Sequence, residues 1–591
     1  MPSYRIITGL TRRGPSVHTF LGLCVLLLML AACGGQDTTQ KPQSTHVPLP
    51  PLPPIGTLPT AAAHAQPTGP LPPDTRLQLT IGLATNRQAL ADDLAAIYDP
   101  NSPQHSHFLT PEQVTARYGV PQAAIDTVTH FLNAAGIQVL SVSTLRDSIT
   151  VSATVAQIQQ AFHIALQVFQ QRGSTFFGPS GKLQLPGEVS RFISYILGLN
   201  SFSQPHAKPP TSHAASVCNG LQGVTPSQIA SAYNYRQAYQ AGYTGKGVSI
   251  GVVEFNDDVS VNDLNTFLGC TTRGALHRSI VRVNGGAQIT DADSTGEAEL
   301  DLEYLSTLAP DAQLLEYQTT YCNRTFCSPL IPSFPESYAN ILHQIAQEDR
   351  VQVVSTSWGG EESFFSQDEI HALDENLQIL AVEGITVAAA SGDCGAFDDG
   401  TYGRLSVDFP AADPYTLAVG GTLLETNAQG QRTTEPAWSN HSADQSQCQN
   451  DWGTGGGLSV LFKQPSWQQG PAAQTSAANG NREVPDVSAI SLNVPLYFQG
   501  QWYISGGTSL AAPVWAAGIA LVDQGLRQHN LPLVGGPPTF YQVANKGGSL
   551  HPFFDVIQGD NLFYKATRGF DLATGLGAPN ILDFGKALGA F

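Results

Sequence analysis

The chain has 591 residues, room for about four domain-sized pieces, and a net charge of −19 with only 13% charged residues. Lys and Arg are therefore scarce, which excludes the basic stripes of a nucleic-acid binder and the charge density of a coiled coil or a highly charged disordered chain. With 42% hydrophobic residues, 57 Gly and 40 Pro, the composition suits a loop-rich globular protein working outside the cytoplasm, and the low charge suits an acidic medium.

Residues 1–33 read as a targeting signal. Arg5, Arg12 and Arg13 precede an apolar run from Phe20 to Leu30, the length of a signal-peptide core and short of a membrane span. The run ends in Leu30-Ala31-Ala32-Cys33, which resembles a bacterial lipobox. That resemblance implies cleavage before Cys33, lipidation of Cys33, and a membrane attachment made through the lipid alone. A Pro-rich stretch with PLPPLPP at 48–54 reads as a tether over 34–75. Of eight Cys, six lie beyond Cys24 and Cys33: Cys218, Cys270, Cys322, Cys327, Cys394 and Cys448. An even count outside the cytoplasm suggests up to three disulfides, with fifteen connectivities open. No CxxC pair or His-rich tract suggests zinc.

Over 76–200 the pattern alternates between strands (Arg76–Leu83, Ser148–Ala153) and amphipathic helices (Gln88–Ile97, Ala123–Ala135, Val155–Phe162), predicting an α+β sandwich. Thr110 is an N-cap and Pro111 a first helical residue. The stretches Tyr98-Asp99-Pro100 and Phe108-Leu109-Thr110-Pro111-Glu112-Gln113 resemble the activation domain of pro-kumamolisin-type peptidases. A Ser/Pro/His/Lys-rich linker at 201–217 reads as exposed and cleavable. Beyond it, over 218–591, short apolar runs at Gly247–Glu254, Val351–Ser357, Gly384–Ser391 and Tyr415–Val419 alternate with helices such as Gln367–Glu383. This is the pattern of a parallel sheet covered on both faces, whose reactive groups sit at the carboxyl ends of strands.

Three motifs carry the chemistry. Gly506-Gly507-Thr508-Ser509 releases the chain into a helix and places Ser509 at a helix N-terminus beside free N–H groups. A nucleophilic serine needs a base, yet none of His277, His343, His371, His441, His529 and His551 is followed by Gly, the context of a subtilisin base. Gly296-Glu297-Ala298-Glu299-Leu300-Asp301 supplies carboxylates instead: Glu297 and Asp301 are i and i+4 on one helix face, Glu299 and Glu303 on another, and like charges on one face raise a carboxyl pKa. Ser391-Gly392-Asp393 follows an apolar strand, where a protonated Asp393 could donate to an oxyanion.

Together these resemble the sedolisins, or serine-carboxyl peptidases, and their kumamolisin-like branch, over 218–591. The resemblance implies an α/β subtilisin-like fold, with Ser509 as nucleophile, Glu297 as general base, Asp301 as its partner and Asp393 as oxyanion donor. Glu254, at the end of Gly251-Val252-Val253-Glu254, and Trp358, in Ser357-Trp358-Gly359-Gly360, match relay positions. Phe409-Pro410-Ala411-Ala412-Asp413-Pro414 and Val419-Gly420-Gly421-Thr422 also match. Ser357, Gly359, Gly455, Gly456 and Gly457 would line the cleft, the last three by pairing with an extended peptide. One Ca²⁺ would be held by Asp555 and Asp571 with the carbonyls of Val556, Thr567 and Gly569, a hard-cation donor set; Val556 and Thr567 stand where the family has Ile and Gly. The expected protein is a zymogen of an acid-active endopeptidase acting on proteins or peptides, inhibited by its own prodomain, whose carboxylate salt bridges acid would weaken. It would be exported and lipid-anchored, with the mature domain released after cleavage. The alternatives are a silent binding lipoprotein and a tripeptidyl-peptidase.

Overall fold

The computed structural model describes residues 49, 51–171, 173–202, 211–213, 218, 221–271, 275–322, 331–398, 404–440, 448, 451–473, 475 and 477–591. The signal-like segment with Cys33 and most of the 201–217 linker lie outside the described residues.

The N-terminal domain has two antiparallel sheets. Four strands lie in the order Gln138–Val142, Ser148–Thr154, Arg76–Leu83, Ile193–Leu197, and three in the order Gln66–Pro70, Ala165–Gln171, Ser174–Ser180. Alternation decides the faces: Leu77, Leu79 and Ile81 point into a core with Ile125, Val128, Leu132, Ile158 and Phe162 from helices Gln122–Ala134 and Val155–Phe162. The helix start at Thr110 has a full capping box with Gln113 and Pro111 in its first turn. One boundary is corrected. The stretch read as a tether contributes the strand Gln66–Pro70, so the folded domain begins upstream of Arg76. The strand lies at a sheet edge with a bulge between Pro67 and Gly69. An edge tolerates proline because no ladder bond is lost, so composition concealed it.

The second domain is built on seven strands, each parallel to its neighbours, in the order Arg278–Arg282, Gln313–Thr319, Ser249–Phe255, Val353–Thr356, Thr386–Ala390, Thr416–Thr422, Val487–Ile490. Both faces are covered, as the near-continuous apolar strands require. Val252, Val353, Ala388 and Val419 join the core under helix Thr508–Gln528, and their neighbours Val253, Val354 and Val387 join the core under helices Phe334–Glu348 and Gln367–Val382. That second core also contains Leu90, Leu94, Ile97, Tyr195 and Leu197 of the first domain, so the two domains share apolar packing. The Thr508–Gln528 helix is apolar and long enough to cross a membrane, but its apolar stretch is buried throughout, as a core helix is. Disulfides join Cys218 to Cys270 and Cys394 to Cys448, and Cys322 is also disulfide-bonded.

Candidate active site

Helix Ala292–Leu308 is capped by Asp291, whose side chain accepts the Ser294 N–H at 2.9 Å. Its acids are not on a solvated face: Glu297, Glu299, Asp301 and Glu303 are all buried. The i, i+4 spacing divides them. Glu299 accepts the Ser260 N–H at 2.9 Å and Glu303 the Tyr497 N–H at 3.2 Å. Glu297 and Asp301 turn to the serine, and the hydroxyls of Ser509 and Ser357 act on the Glu297 carboxyl to hold its pKa down. Burial pushes the Glu297 carboxyl up to about 7; the Ser509 hydrogen bond opposes the rise and the Asp393 charge adds to it. Asp301 is raised well above the usual range by burial and then by the Glu297 charge.

Ser509 is the second residue of its helix, after Gly507 at φ +145°. A side chain at Gly507 would put a Cβ 2.6 Å from Asp393 Oδ2, so only glycine lets the Asp393 turn meet the serine turn this closely. The Thr508 N–H and hydroxyl both donate to Asp393 Oδ1, at 2.7 and 2.9 Å, and the hydroxyl also lies 3.1 Å from the Gly392 carbonyl. Asp393 is thereby fixed against the N-terminus of the helix that carries Ser509.

Pro513 lies four residues after Ser509 in the same helix. It has no N–H to give the Ser509 carbonyl. The Ser357 hydroxyl takes that place at 3.0 Å, and it also lies 2.8 and 2.9 Å from the two Asp301 oxygens. Asp301 is hydrogen-bonded onward to Glu254, and Trp358 Nε1 donates to Glu254 Oε2 at 3.1 Å. Glu254 is held well up by burial, then by the charges of Asp301 and Asp257. Trp358 is fixed by aromatic contacts with Phe255 at 5.2 Å and Tyr321 at 6.1 Å. The structure thus joins Ser509, Glu297, Ser357, Asp301, Glu254 and Trp358 in one buried line, with Asp393 across the serine turn.

Thr508, Ser357's hydroxyl role and Asp398 were not picked out from the sequence. Asp398 lies behind the Asp393 turn and accepts the Cys394 N–H at 3.2 Å. The spacing Ser509–Pro513 was the available signal for Ser357, because it predicts a carbonyl in need of a donor.

The glycine stretch is corrected in part. The Gly455 N–H donates to the Gly392 carbonyl at 2.7 Å, and its carbonyl accepts from Ser391 Oγ at 2.8 Å. A Cβ at Gly455 would sit 1.9 Å from the Ser391 carbonyl, and one at Gly456 2.3 Å from the Leu572 carbonyl. Gly457 pairs with Val484. Gly455 therefore buttresses the Ser391–Asp393 turn with both of its backbone polar groups, while Gly456 packs against the Leu572 carbonyl and accepts from the Asn561 amide at 3.2 Å. Gly359 is buried, with a Cβ position 3.2 Å from the Phe409 carbonyl.

Asp555 and Asp571 both bond to the 567–571 loop. The Gly569 N–H donates to both Asp555 oxygens at 3.1 and 3.2 Å, and the Thr567 N–H to Asp571 Oδ2 at 2.7 Å. Val556 is buried beside them. Two carboxylates converging on one loop, with main-chain carbonyls at hand, fit a hard cation in donor chemistry. No cluster of three or more His, Cys, Asp or Glu suited to a metal occurs among the described residues.

The domains meet over the Gln367–Val382 helix. Asp368 accepts the N–H groups of Gly56 at 2.8 Å, Thr57 at 3.4 Å and Ile196 at 3.0 Å; Glu369 accepts from the Asn200 amide at 3.2 Å, and Glu375 from the Thr85 hydroxyl. The Leu109 N–H donates to the Val382 carbonyl at 2.8 Å. The carboxylate salt bridges expected here are replaced by neutral donors because burial favours uncharged partners for these acids. His343 and Asp147, 3.6 Å apart, form a charge pair across the interface when His343 is protonated.

Residues 63–202 match the family model described as the Pro-kumamolisin activation domain, and residues 283–532 match the Subtilase family. The chain is 28% identical to kumamolisin of Bacillus sp. (strain MN-32), an alignment covering 88% of this chain and 92% of that protein. It is 26% identical to tripeptidyl-peptidase 1 of Mus musculus, covering 87% and 91%. The structure of Pseudomonas sedolisin complexed with two molecules of pseudo-iodotyrostatin matches with a TM-score of 0.54 at 25% identity, covering 63% of this chain and all of that one. The chain thus carries a pro-kumamolisin activation domain ahead of a subtilase-family α/β domain and is a hydrolase similar over most of its length to the sedolisin-type serine-carboxyl peptidases.

Proposed function

We propose that the protein is an acid-activated endopeptidase that cleaves through an acyl-enzyme on Ser509. Glu297 takes the Ser509 hydroxyl proton as the serine attacks a peptide carbonyl. Asp301 stabilises the protonated base, and Glu254 and Trp358 extend the buried line behind it. Asp393, protonated in acid, donates to the oxyanion of the tetrahedral intermediate. Protonated Glu297 then gives its proton to the leaving amine, and water repeats the path to free the serine. The reading is supported chiefly by the placing of Ser509 at a helix N-terminus that Asp393 also caps, with the buried, raised Glu297 carboxyl facing it. It requires a mixed protonation state, which carboxyls held up by burial retain in acid. Ser357 and Gly359 would border the substrate strand.

Asp555 and Asp571, with the carbonyls of Val556, Thr567 and Gly569, would hold one Ca²⁺, whose contribution is to tie the 555 and 567–571 loops together. Export, lipid attachment at Cys33, release of the mature domain and cleavage within 201–217 complete the proposal; they rest on the sequence. The tripeptidyl-peptidase reading is kept because a tripeptidyl-peptidase 1 aligns over nearly as much of the chain as kumamolisin does. Mass spectrometry of the acid-treated full chain, with a casein digest as readout, tests this. Self-cleavage near 201–217 and internal casein fragments in the wild type, both absent from Ser509→Ala, are expected. Tripeptides alone would favour the second reading; casein hydrolysis by Ser509→Ala would overturn the first.

A further inference from the structure

We infer, on the reading of Asp393 as oxyanion donor, that the Cys394–Cys448 disulfide positions that donor: it ties the Asp393 turn to the strip of chain that backs it, so hydrolysis depends on the disulfide being closed. Asp393 and Cys394 stand between two glycines, Gly392 at φ +104° and Gly395 at φ +65°. Glycine populates positive φ as readily as negative. The dipeptide therefore has a hinge at each end and two side chains by which to be held. Asp393 is gripped from the serine side, where the Thr508 N–H and hydroxyl both meet its Oδ1. Cys394 supplies the grip from behind, through its disulfide to Cys448. Cys394 is 3% exposed, so the tie is packed into the wall behind the turn.

The backing strip is Asp451–Gly455. The Gly453 N–H donates to the Asp393 carbonyl and the Gly395 N–H to the Gly453 carbonyl, each at 2.8 Å, so the turn runs parallel to the strip at Cys394. The Gly455 N–H reaches the Gly392 carbonyl at 2.7 Å. The strip is fixed in turn to the second domain: Gly453 and Trp452 pair with Ser439 and Asn440, and the Thr454 N–H donates to the Trp438 carbonyl at 2.9 Å. Cys448 lies just upstream of this strip, with its Cα 5.1 Å from that of Cys394. Main-chain bonds between a twice-hinged turn and a short strip open locally. A covalent tie across 54 residues of sequence keeps the two together when they do. Asp393 then meets the developing oxyanion already in place, with no reorganisation during the reaction.

The test measures kcat and KM on one peptide for the acid-processed wild type and Asp393→Ala, before and after reduction with tris(2-carboxyethyl)phosphine. The phosphine is oxidised to its oxide with the oxygen of one water, and the hydrogens of that water complete the two thiols. Mass spectrometry after alkylation shows that Cys394 and Cys448 have opened. Reduction should lower the wild-type kcat about 10- to 100-fold, the scale of a catalytic group displaced by about 1 Å, with KM within about twofold. It should leave the residual kcat of Asp393→Ala within about twofold, because the tie acts through Asp393. The pair Cys394→Ser with Cys448→Ser should reproduce the loss, and Cys218→Ser with Cys270→Ser should not. The reduced wild type answers if the first pair does not fold, and the first pair answers if the buried bond resists the phosphine. An unchanged wild-type kcat with Cys394 and Cys448 open would overturn the inference, as would an equal loss in Asp393→Ala, the sign of a tie that only stabilises the fold. Impaired Asp393→Ala beside an unchanged reduced wild type would overturn the tie alone. Fully active Asp393→Ala would overturn the oxyanion donor and the tie together.

Discussion

Two buried carboxyl clusters serve different ends in this molecule. Around Ser509, Glu297, Asp301 and Glu254 face one another and side-chain hydroxyls, so their protons are shared. Under the prodomain, Asp368, Glu369 and Glu375 face N–H and O–H donors of a neighbouring domain, so they act as fixed acceptors. Both are lifted by burial: Asp368 to about 6, Glu369 to about 7 and Glu375 to about 8. Like charge adds to the rise at both clusters, as a small contribution from Asp368 at Glu369 and from Asp147 and Asp374 at Glu375, and as the first cause after burial at Asp301 and Glu254. What separates the clusters is the partner: N–H and O–H donors face the interface acids, whereas carboxyls and hydroxyls face those behind Ser509.

The sign of these shifts matters for activation. A carboxyl whose pKa is raised in the folded zymogen contributes stability that is present in acid and lost as pH rises through the folded value. Asp368, Glu369 and Glu375 therefore favour the docked prodomain below about pH 6 to 8. His371 has the opposite sign. Burial first, and then the Arg87 charge, lowers it to about 4. It is 8% exposed, Nε2 has no hydrogen-bond partner, and Tyr195 of the prodomain packs edge-on at 5.6 Å; Glu375 and Asp374 follow on its own helix. Its neutral form stabilises the docked state, and that stability is lost between about pH 6.5 and 4. Of the groups at this interface, His371 is the one whose titration opposes docking as pH falls, whereas the raised carboxyls favour docking in acid.

The contrast can be broken at either cluster. Ser509→Ala should abolish hydrolysis, a loss of at least about 10⁴-fold in kcat, with self-cleavage gone by gel. Asp393→Asn should cost about 10²- to 10³-fold in kcat and flatten the alkaline limb, because the amide donates at every pH. His371→Leu should remove up to about 3 kcal/mol of acid-driven undocking, so that processing, followed by mass spectrometry across pH, begins at lower pH than in the wild type. Asp368→Ala should strand three prodomain N–H groups and weaken docking by about 2 kcal/mol, read as earlier processing during a pH titration. Thr110→Ala should be the smallest change, about 1 kcal/mol of prodomain stability from the lost cap, read as a lower melting temperature of the zymogen.

The four motif residues were legible because each motif is local. A G-E-x-x-L-D helix, an S-G-D turn and a G-T-S turn each fix their own backbone, and strand ends then bring them together. What joins them was less legible. Ser357 was visible as part of Ser-Trp-Gly, but its contact with Asp301 spans 56 residues and with Ser509 152 residues. Thr508 adjoins the nucleophile, yet its bond to Asp393 depends on Gly507 lacking a Cβ. Gly455 and Gly456 looked like a substrate edge because glycine permits close backbone approach; the backbone that approaches is the protein's own, the Ser391–Gly392 turn at Gly455 and the Leu572 carbonyl at Gly456. In the prodomain, alternation revealed Arg76–Leu83, whereas Pro67 and Pro70 hid an edge strand.

The most direct test of the central claim is the pH dependence of kcat/KM for the acid-processed wild type beside Glu297→Gln. A bell centred in acid, reporting the macroscopic ionisations of the carboxyl set, with activity lost in Glu297→Gln, is the predicted result. Activity that climbs to a plateau above neutrality and survives in Glu297→Gln would contradict the account and point to a base outside the carboxyl line.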